Sequence, residues 1–224
     1  AQVLVGNDVE QTHHLRTQEA LRKVCGVSVL FIGIAGAMEG MLSVEGASLV
    51  SGSSMLIVVC LVLGAVTGEL LGIEKWFESF GDWLRRKTNN SGDAQFTAAF
   101  LTASLTVCIG AMAIIGSIKD GTEGDYSILA VKSVLDIVIV MVMAASTGKG
   151  SIFSALPVFV LEGGMTLLSR LLVPILTDLA MSYLSLVGSI LIFCVGINLV
   201  WGKKVRVANF LPSLILAVGA AFLP

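Results

Sequence analysis

Three ionisable residues lie inside apolar runs of this 224-residue chain, where a charge needs a chemical reason. Lys132 and Asp136 are four residues apart in one run, so on a helix they share a face. Glu162 lies in the next run, and an ionised group deep in a bilayer is costly enough to suggest a functional role. Lys132 can neutralise only one carboxylate at a time, so the other must be protonated, bind a cation or pair with Arg170. This pattern predicts a proton- or cation-coupled site, and the alternative is a structural Lys132–Asp136 pair with Glu162 held neutral by burial.

Further polar residues within the apolar runs extend this candidate site. Glu39 lies where it could face Lys132 or Arg170 once the helices pack, and Asn198 offers an amide for hydrogen bonding. The residues predicted to bind a substrate or ion are therefore Lys132, Asp136, Glu162, Glu39, Arg170 and Asn198.

An acidic loop and a run containing proline and glycine predict how the site is reached. Acidic side chains ahead of Lys132 would concentrate cations at an entrance. Proline removes a backbone hydrogen bond and a glycine pair tolerates irregular geometry, so the following run is predicted to bend or unwind as a gate. The predicted entrance comprises Asp120, Glu123 and Asp125, and the predicted gate or hinge comprises Pro157, Gly163 and Gly164.

The composition places these residues in a membrane protein. Hydrophobic residues make up 55% of the chain, charged residues only 13%, and the mean hydropathy is +0.92. A soluble domain carries about 25% charged residues. We predict an all-α, polytopic transmembrane helix bundle that forms a single integral membrane domain over residues 1–224. Its apolar segments, each within or close to the ~17–25 residues that cross a bilayer, are A (24–43), B (55–73), C (96–118), D (127–146), E (151–176), F (183–202) and G (207–224).

Lysine and arginine are distributed unevenly between the two ends of these segments. If all seven segments span, one side receives 11 of the 14 basic residues and the other only Lys119, while Lys132 and Arg170 lie within spans. Because cytoplasmic loops carry the excess of basic residues, residues 7–23 are predicted to be cytoplasmic and the C-terminus to lie outside. The basic side holds Arg16, Arg22, Lys23, Lys75, Arg85, Arg86, Lys87, Lys149, Lys203, Lys204 and Arg206.

Residues 74–87, EKWFESFGDWLRRK, predict an amphipathic helix between segments B and C. Its aromatic residues and Leu84 fall at helical spacing on one face, and its charged residues lie opposite. Such a helix lies in the membrane interface. The alternative is a linker helix that faces solvent.

Several functional classes are not supported by the residues. The four cysteines are far apart, each in an apolar run, which indicates small buried hydrophobes rather than a metal site or disulfide. His13 and His14 are adjacent, so on a helix they do not face one metal site. The net charge of -2 gives no indication of nucleic-acid binding. No polar catalytic cluster is evident, and we predict neither an enzyme, nor a cofactor, nor a metal site.

A weak internal repeat suggests how the segments are arranged. LFIGI at 30–34 resembles FCVGI at 193–197, and LVLGA at 61–65 resembles LAVGA at 216–220, although short apolar matches also arise by chance. Segments A and F are five spans apart, an odd number, so a true repeat would be inverted, as in many secondary transporters. Glycines in segments A to C are interpreted as sites of close helix packing.

The sequence also resembles a known family. GELLGIE at 68–74, GAMAIIGSIKDGTEGD at 110–125, KSVLD at 132–136, GKG at 148–150 and VANFLPSLILA at 207–217 resemble the YqgA-like bacterial inner-membrane proteins, a family known as a domain of unknown function. The resemblance implies a multi-pass protein of the bacterial inner membrane, with an additional apolar segment of which AQVLVG would be the tail. It carries no catalytic residues to transfer. It also implies an amide at the position of Glu162, so we expect that charge to be particular to this chain.

These observations favour a secondary transporter or ion-coupled carrier of a small molecule or ion, with a site near the membrane midplane. One alternative is an ion channel built by a homo-oligomer, because segments C and F are too apolar to line a pore within one chain. Another is a membrane sensor or scaffold that transports nothing. The sequence does not identify a substrate.

Overall fold

Apolar runs free of interior proline fold into the long helices of this chain. The structure is a computed structural model that describes residues 2–46, 48–90, 92–93, 95–108 and 111–222. Pro157, Pro174 and Pro212 all lie at or beside helix ends, where the missing N–H does not break a helical hydrogen bond. The helices are α1 Gln2–Met41, α2 Ser54–Leu71, α3 Ile73–Lys87, α4 Phe96–Cys108, α5 Ala111–Glu123, α6 Ser127–Thr147, α7 Ala155–Leu172, α8 Asp178–Trp201 and α9 Pro212–Ala220.

The described residues include five helices that are long and apolar enough to cross a membrane, or six if a bent pair counts as one. The five cover residues 19–41, 54–71, 127–147, 149–171 and 178–201, which correspond to segments A, B, D, E and F. A short antiparallel hairpin, with strands Leu42–Glu45 and Ser48–Ser51, joins α1 to α2 and was not predicted. The fold is therefore a helix bundle with the apolar helices expected of a membrane protein.

The predicted count of seven spans is not confirmed, because segments C and G are not single long helices. Segment C forms α4 and α5, whose axes differ by 70°, and residues 109 and 110 between them lie outside the described residues. Segment G forms a 3-10 turn followed by α9, which has nine residues. Such a helix is about 14 Å long, half of the ~30 Å hydrocarbon core. Hydropathy averaged along the chain does not detect these changes of direction.

Close packing of α1 against α8 forms the largest helix–helix contact in the described structure. A side chain at Gly33 would meet the backbone of Phe193 at 2.6 Å, and one at Gly196 would meet Leu30 at 2.8 Å. Since residues late in α1 meet residues early in α8, the two helices are antiparallel. The glycines of segment A thus serve close packing, as the sequence indicated.

Four connections, those after α2, α3, α6 and α8, meet at one end of the bundle. Lys203 Nζ lies 2.5 Å from Glu74 Oε1, and Arg206 Nη1 lies 2.6 Å from Glu69 Oε1. The start of α4 packs against the 3-10 turn at 149–154. We call this the basic end, because these connections carry most of the residues on the predicted cytoplasmic side. The charge count assumed that successive segments cross the membrane in alternating directions, which places these four connections on one side. Their positions at one end of the bundle agree with that assumption.

Candidate functional site

Lys132 on α6 holds together two carboxylates, one from its own helix and one from α7. Its Nζ donates a hydrogen bond to Asp136 Oδ2 and lies 2.8 Å from Glu162 Oε1. The side chains of Lys132, Asp136 and Glu162 are 8%, 20% and 15% exposed, so all three are largely withdrawn from the bundle surface. We call these residues the charged triad. Lys132 contacts both carboxylates at once, and its single positive charge balances only one of the two negative charges.

The two carboxylates of the triad are not equivalent. Asp136 accepts a hydrogen bond from Lys132, while Glu162 Oε1 is buried and accepts no well-aligned hydrogen bond from the described residues. The contact between Lys132 Nζ and Glu162 Oε1, at 2.8 Å, is an ion pair at hydrogen-bond distance. The ionised triad has one positive and two negative charges. Glu162 therefore has the greater capacity left for a proton or a cation.

The triad lies beside the bend between α4 and α5. Cys108, the last residue of α4, is close enough to interact electrostatically with Lys132, Asp136 and Glu162. Around the triad and elsewhere in the described residues, no group of three or more His, Cys, Asp or Glu side chains is arranged to hold a metal ion.

Three other predicted site residues do not join the triad. Glu39 and Arg170 are exposed, and neither forms an ion pair with any residue that the structure describes. Asn198 serves the loop after α8: its Oδ1 accepts hydrogen bonds from the N–H groups of Lys204 and Val205 at 2.8 and 2.9 Å. Its Nδ2 donates to Val205 O at 2.7 Å. Asn198 therefore orders the loop rather than binding an ion between helices.

The predicted acidic entrance is largely helical and leads into none of the described cavities. Helix α5 continues to Glu123, so only residues 124–126 form the loop. Asp125 accepts a hydrogen bond from the Ser127 N–H at 3.0 Å, and hydrogen bonding by the side chain and then the backbone of Ser127 lowers the pKa of Asp125. A side chain at Gly121 would meet Thr166 O at 2.2 Å, so α5 and α7 are in close contact here. Neither of the two described cavities is lined by these acidic residues, and the entrance stays a prediction.

The predicted unwinding at Pro157, Gly163 and Gly164 is wrong. Helix α7 runs without interruption from Ala155 to Leu172. Pro157 is the third residue of this helix, where its missing N–H would have had no helical partner in any case. Added side chains at Gly163 and Gly164 would meet nothing within 4 Å, so these glycines are not sites of close packing. The irregular backbone lies instead before the helix, in the 3-10 turn Lys149–Ser154.

Sequence reasoning missed a cavity of about 510 Å³ at the basic end of the bundle, between α3, α4 and α8. Three acidic residues at helical spacing on α3, Glu74, Glu78 and Asp82, line one wall, and Arg22 of α1 also lines the cavity. We call it the end cavity. The four-residue spacing of the acidic side chains was visible in the sequence. It was interpreted as the solvated face of an interfacial helix, and nothing local indicated that α4 and α8 would close over it.

Comparisons with known proteins identify the family. A family model described as Protein of unknown function (DUF554) matches residues 2–222. This chain belongs to that family. The match confirms the resemblance to YqgA-like proteins. Family relatives include the "Uncharacterized protein YqgA" of Escherichia coli (strain K12), 27% identical over 91% of this chain and 83% of the relative.

A second relative in the family is the "Uncharacterized membrane protein YdfK" of Bacillus subtilis (strain 168). It is 27% identical over 72% of this chain and 68% of the relative. No solved structure matches the chain. The name of this relative and the five apolar helices both agree with a membrane protein.

Proposed function

We propose that this protein is a secondary transporter or ion-coupled carrier, and that the charged triad is its coupling site. The observation that carries the proposal is the pairing of one buried lysine with two carboxylates, one on α6 and one on α7. A charge at mid-depth costs at least ~2.5–3.5 kcal/mol on insertion scales, so an excess charge there needs a function or a counterion.

The coupling step follows from the charge count of the triad. When Lys132, Asp136 and Glu162 are all ionised, the triad carries one uncompensated negative charge. A proton on Glu162, or a cation beside it, neutralises the group, and loss of that ion restores the charge. A carboxyl group that alternates between these states is what proton or cation coupling requires.

The location of the protein follows the same proposal. It is a multi-pass protein of the bacterial inner membrane with the basic end in the cytoplasm, as the lysine and arginine distribution supports. Helix α3 lies in the membrane interface: Phe77, Phe80 and Leu84 turn toward the protein, while Trp76 and Trp83 are 67% and 50% exposed. Exposed tryptophans are typical of interfacial positions.

An inverted repeat is part of the proposal. The two similar stretches meet across the α1–α8 contact in a reciprocal manner: Gly33 faces Phe193, and Gly196 faces Leu30. In the alignment of the stretches, Leu30 corresponds to Phe193 and Gly33 to Gly196. A local two-fold rotation would therefore exchange the Gly33–Phe193 contact with the Gly196–Leu30 contact. This symmetry supports an inverted repeat, the arrangement found in many transporters.

Transport assays on Glu162→Gln test the function. Purified wild-type protein in proteoliposomes that enclose a pH-sensitive dye is given a panel of ions, amino acids and organic acids, with and without a proton gradient. We expect wild-type protein to show coupled flux of at least one compound. The glutamine variant, which keeps the Lys132–Asp136 pair, should insert and fold but lose the coupling. Normal coupled flux by the variant would refute the role of Glu162.

An oligomeric channel predicts a different result. Flux through a channel would follow the gradient of the permeant ion alone and would not move a second solute uphill. A sensor or scaffold predicts no flux of any compound in the panel.

A further inference from the structure

Arg22 and Asp82 place groups of opposite charge on the walls of the end cavity, and each has polar atoms that no described residue engages. The Nε of Arg22 is buried and has no hydrogen-bond partner among the described residues. Asp82 accepts a 2.6 Å hydrogen bond from the Thr97 hydroxyl and lies 3.7 Å from Arg85, and both contacts use its Oδ1. One cationic group and one carboxylate oxygen therefore remain available to a ligand.

The other charges of the end cavity are already paired. Lys203 Nζ lies 2.5 Å from both Glu74 Oε1 and Glu78 Oε1. Burial lowers the pKa of Lys203, but its hydrogen bonds to the two glutamates raise the pKa further, so it stays protonated at neutral pH. These three residues close the rim of the cavity without using Arg22 or Asp82.

The floor of the end cavity is apolar and reaches toward the charged triad. Leu101 and Leu105 of α4 and Val195 and Leu199 of α8 form it. From Gln95 to Leu105 the lining follows α4 for about 15 Å, half the thickness of the hydrocarbon core. Leu105 is one helical turn before Cys108, which lies beside the triad. The cavity thus extends from the basic end to within one turn of α4 of the residue beside the triad.

We propose that the end cavity binds a small zwitterion with an apolar side chain, of the chemical class of the aliphatic α-amino acids. Arg22 binds the carboxylate, Asp82 binds the ammonium group, and the leucine and valine side chains of the floor contact the aliphatic part. The volume of about 510 Å³ is within the range of small-molecule sites. As the substrate class of a transporter this inference rests on the proposed function, but binding itself does not.

Calorimetric titration of the full chain in phosphatidylglycerol nanodiscs tests the proposal with three matched probes. Leucine carries both charged groups, isoamylamine lacks the carboxylate, and isocaproate lacks the ammonium group. We expect leucine to bind and each analogue to bind at least about tenfold more weakly, because each leaves one charged group of the cavity unpaired. Equal binding of leucine and either analogue, or no binding of leucine, would overturn the proposal.

Two variants assign the charges of the ligand to residues of the cavity. Arg22→Gln should weaken leucine binding about tenfold and leave isoamylamine binding unchanged, because that probe has no carboxylate. Asp82→Asn should weaken leucine binding and leave isocaproate binding unchanged. Arg86→Gln and Asp178→Asn, at exposed positions outside the cavity, are the matched controls. Leucine affinities that are the same in the cavity variants and the controls would show that the binding is elsewhere.

A lipid headgroup is the main competing occupant of the end cavity. If replacing phosphatidylglycerol with phosphatidylethanolamine abolishes leucine binding, the cavity holds a zwitterionic headgroup and the proposal fails. The Glu162→Gln variant separates this inference from the proposed function, because it changes the triad and leaves the end cavity intact. The variant should bind leucine with unchanged affinity and should lose coupled flux. Coupled flux of another compound without leucine binding would refute the substrate class alone. Leucine binding without coupled flux of any compound would refute the transport function alone.

Discussion

Lys132→Met is the substitution that most directly probes the charged triad. It keeps an unbranched side chain one atom shorter and removes the only positive charge within 4 Å of Asp136 and Glu162 among the described residues. At the 2.8 Å separation from Glu162, Coulomb's law with an effective dielectric constant of about 20 gives about 6 kcal/mol for one ion pair. Removing one partner of a buried pair typically costs about 3–5 kcal/mol, because the remaining charge is uncompensated. We expect a loss of unfolding free energy in that range.

Variants of the other triad residues should behave differently for the same reason. Glu162→Gln removes the excess negative charge and leaves a balanced pair, so its loss of stability should be much smaller. Combining Lys132→Met with Asp136→Asn and Glu162→Gln removes all three charges and should recover most of the lost stability. Lys119→Met is the matched control, since Lys119 forms no ion pair with a described residue.

The assay is reversible unfolding by titration with SDS, followed by far-UV circular dichroism. The expected order of stability places Glu162→Gln near wild type, the triple variant below it, and Lys132→Met lowest. If Lys132→Met is as stable as the control, or if the triple variant is no more stable than Lys132→Met, the triad is not a buried charged group and the coupling argument loses its basis.

Three further predictions concern packing, orientation and the rim of the end cavity. Gly33→Ala should destabilise the protein by about 1–3 kcal/mol, because the added methyl group overpacks the α1–α8 contact. Gly163→Ala, in open space, should be neutral or stabilising. Equal effects of the two substitutions in the same SDS titration would contradict the described packing. Single cysteines in a cysteine-free background should be labelled from outside intact cells at position 178 but not at position 149. Strong labelling of a cysteine that replaces Lys149 would show that the predicted orientation is wrong. Hydrogen bonding raises the pKa of Lys203. The contribution of Lys203 to stability should therefore be fully present at neutral pH and below, and be lost as the pH rises through that raised pKa. If Lys203→Gln differs from wild type in stability by the same amount at neutral and at strongly alkaline pH, these ion pairs contribute nothing.

The sequence by itself determined the class of the protein and the position of its apolar helices. Runs of about twenty apolar residues can satisfy their backbone hydrogen bonds in a bilayer only as helices, so five of the seven predicted segments appear close to their predicted bounds. The four-residue spacing of Lys132 and Asp136 likewise fixed their pairing, because helix geometry alone brings such residues together. The small residues of α1 also indicated close packing before any partner was known.

Only the tertiary structure decided which distant residues meet. Glu162 reaches Lys132 because α6 and α7 both pack against α4 and α5, and this arrangement depends on tertiary packing rather than on local sequence. A hydropathy average shows that a run is apolar. It does not show that the axis turns by 70° between α4 and α5, or that α9 has only nine residues. The end cavity joins Arg22 and Asp82 from α1 and α3, because packing of the helices brings together side chains that are sixty residues apart in the chain.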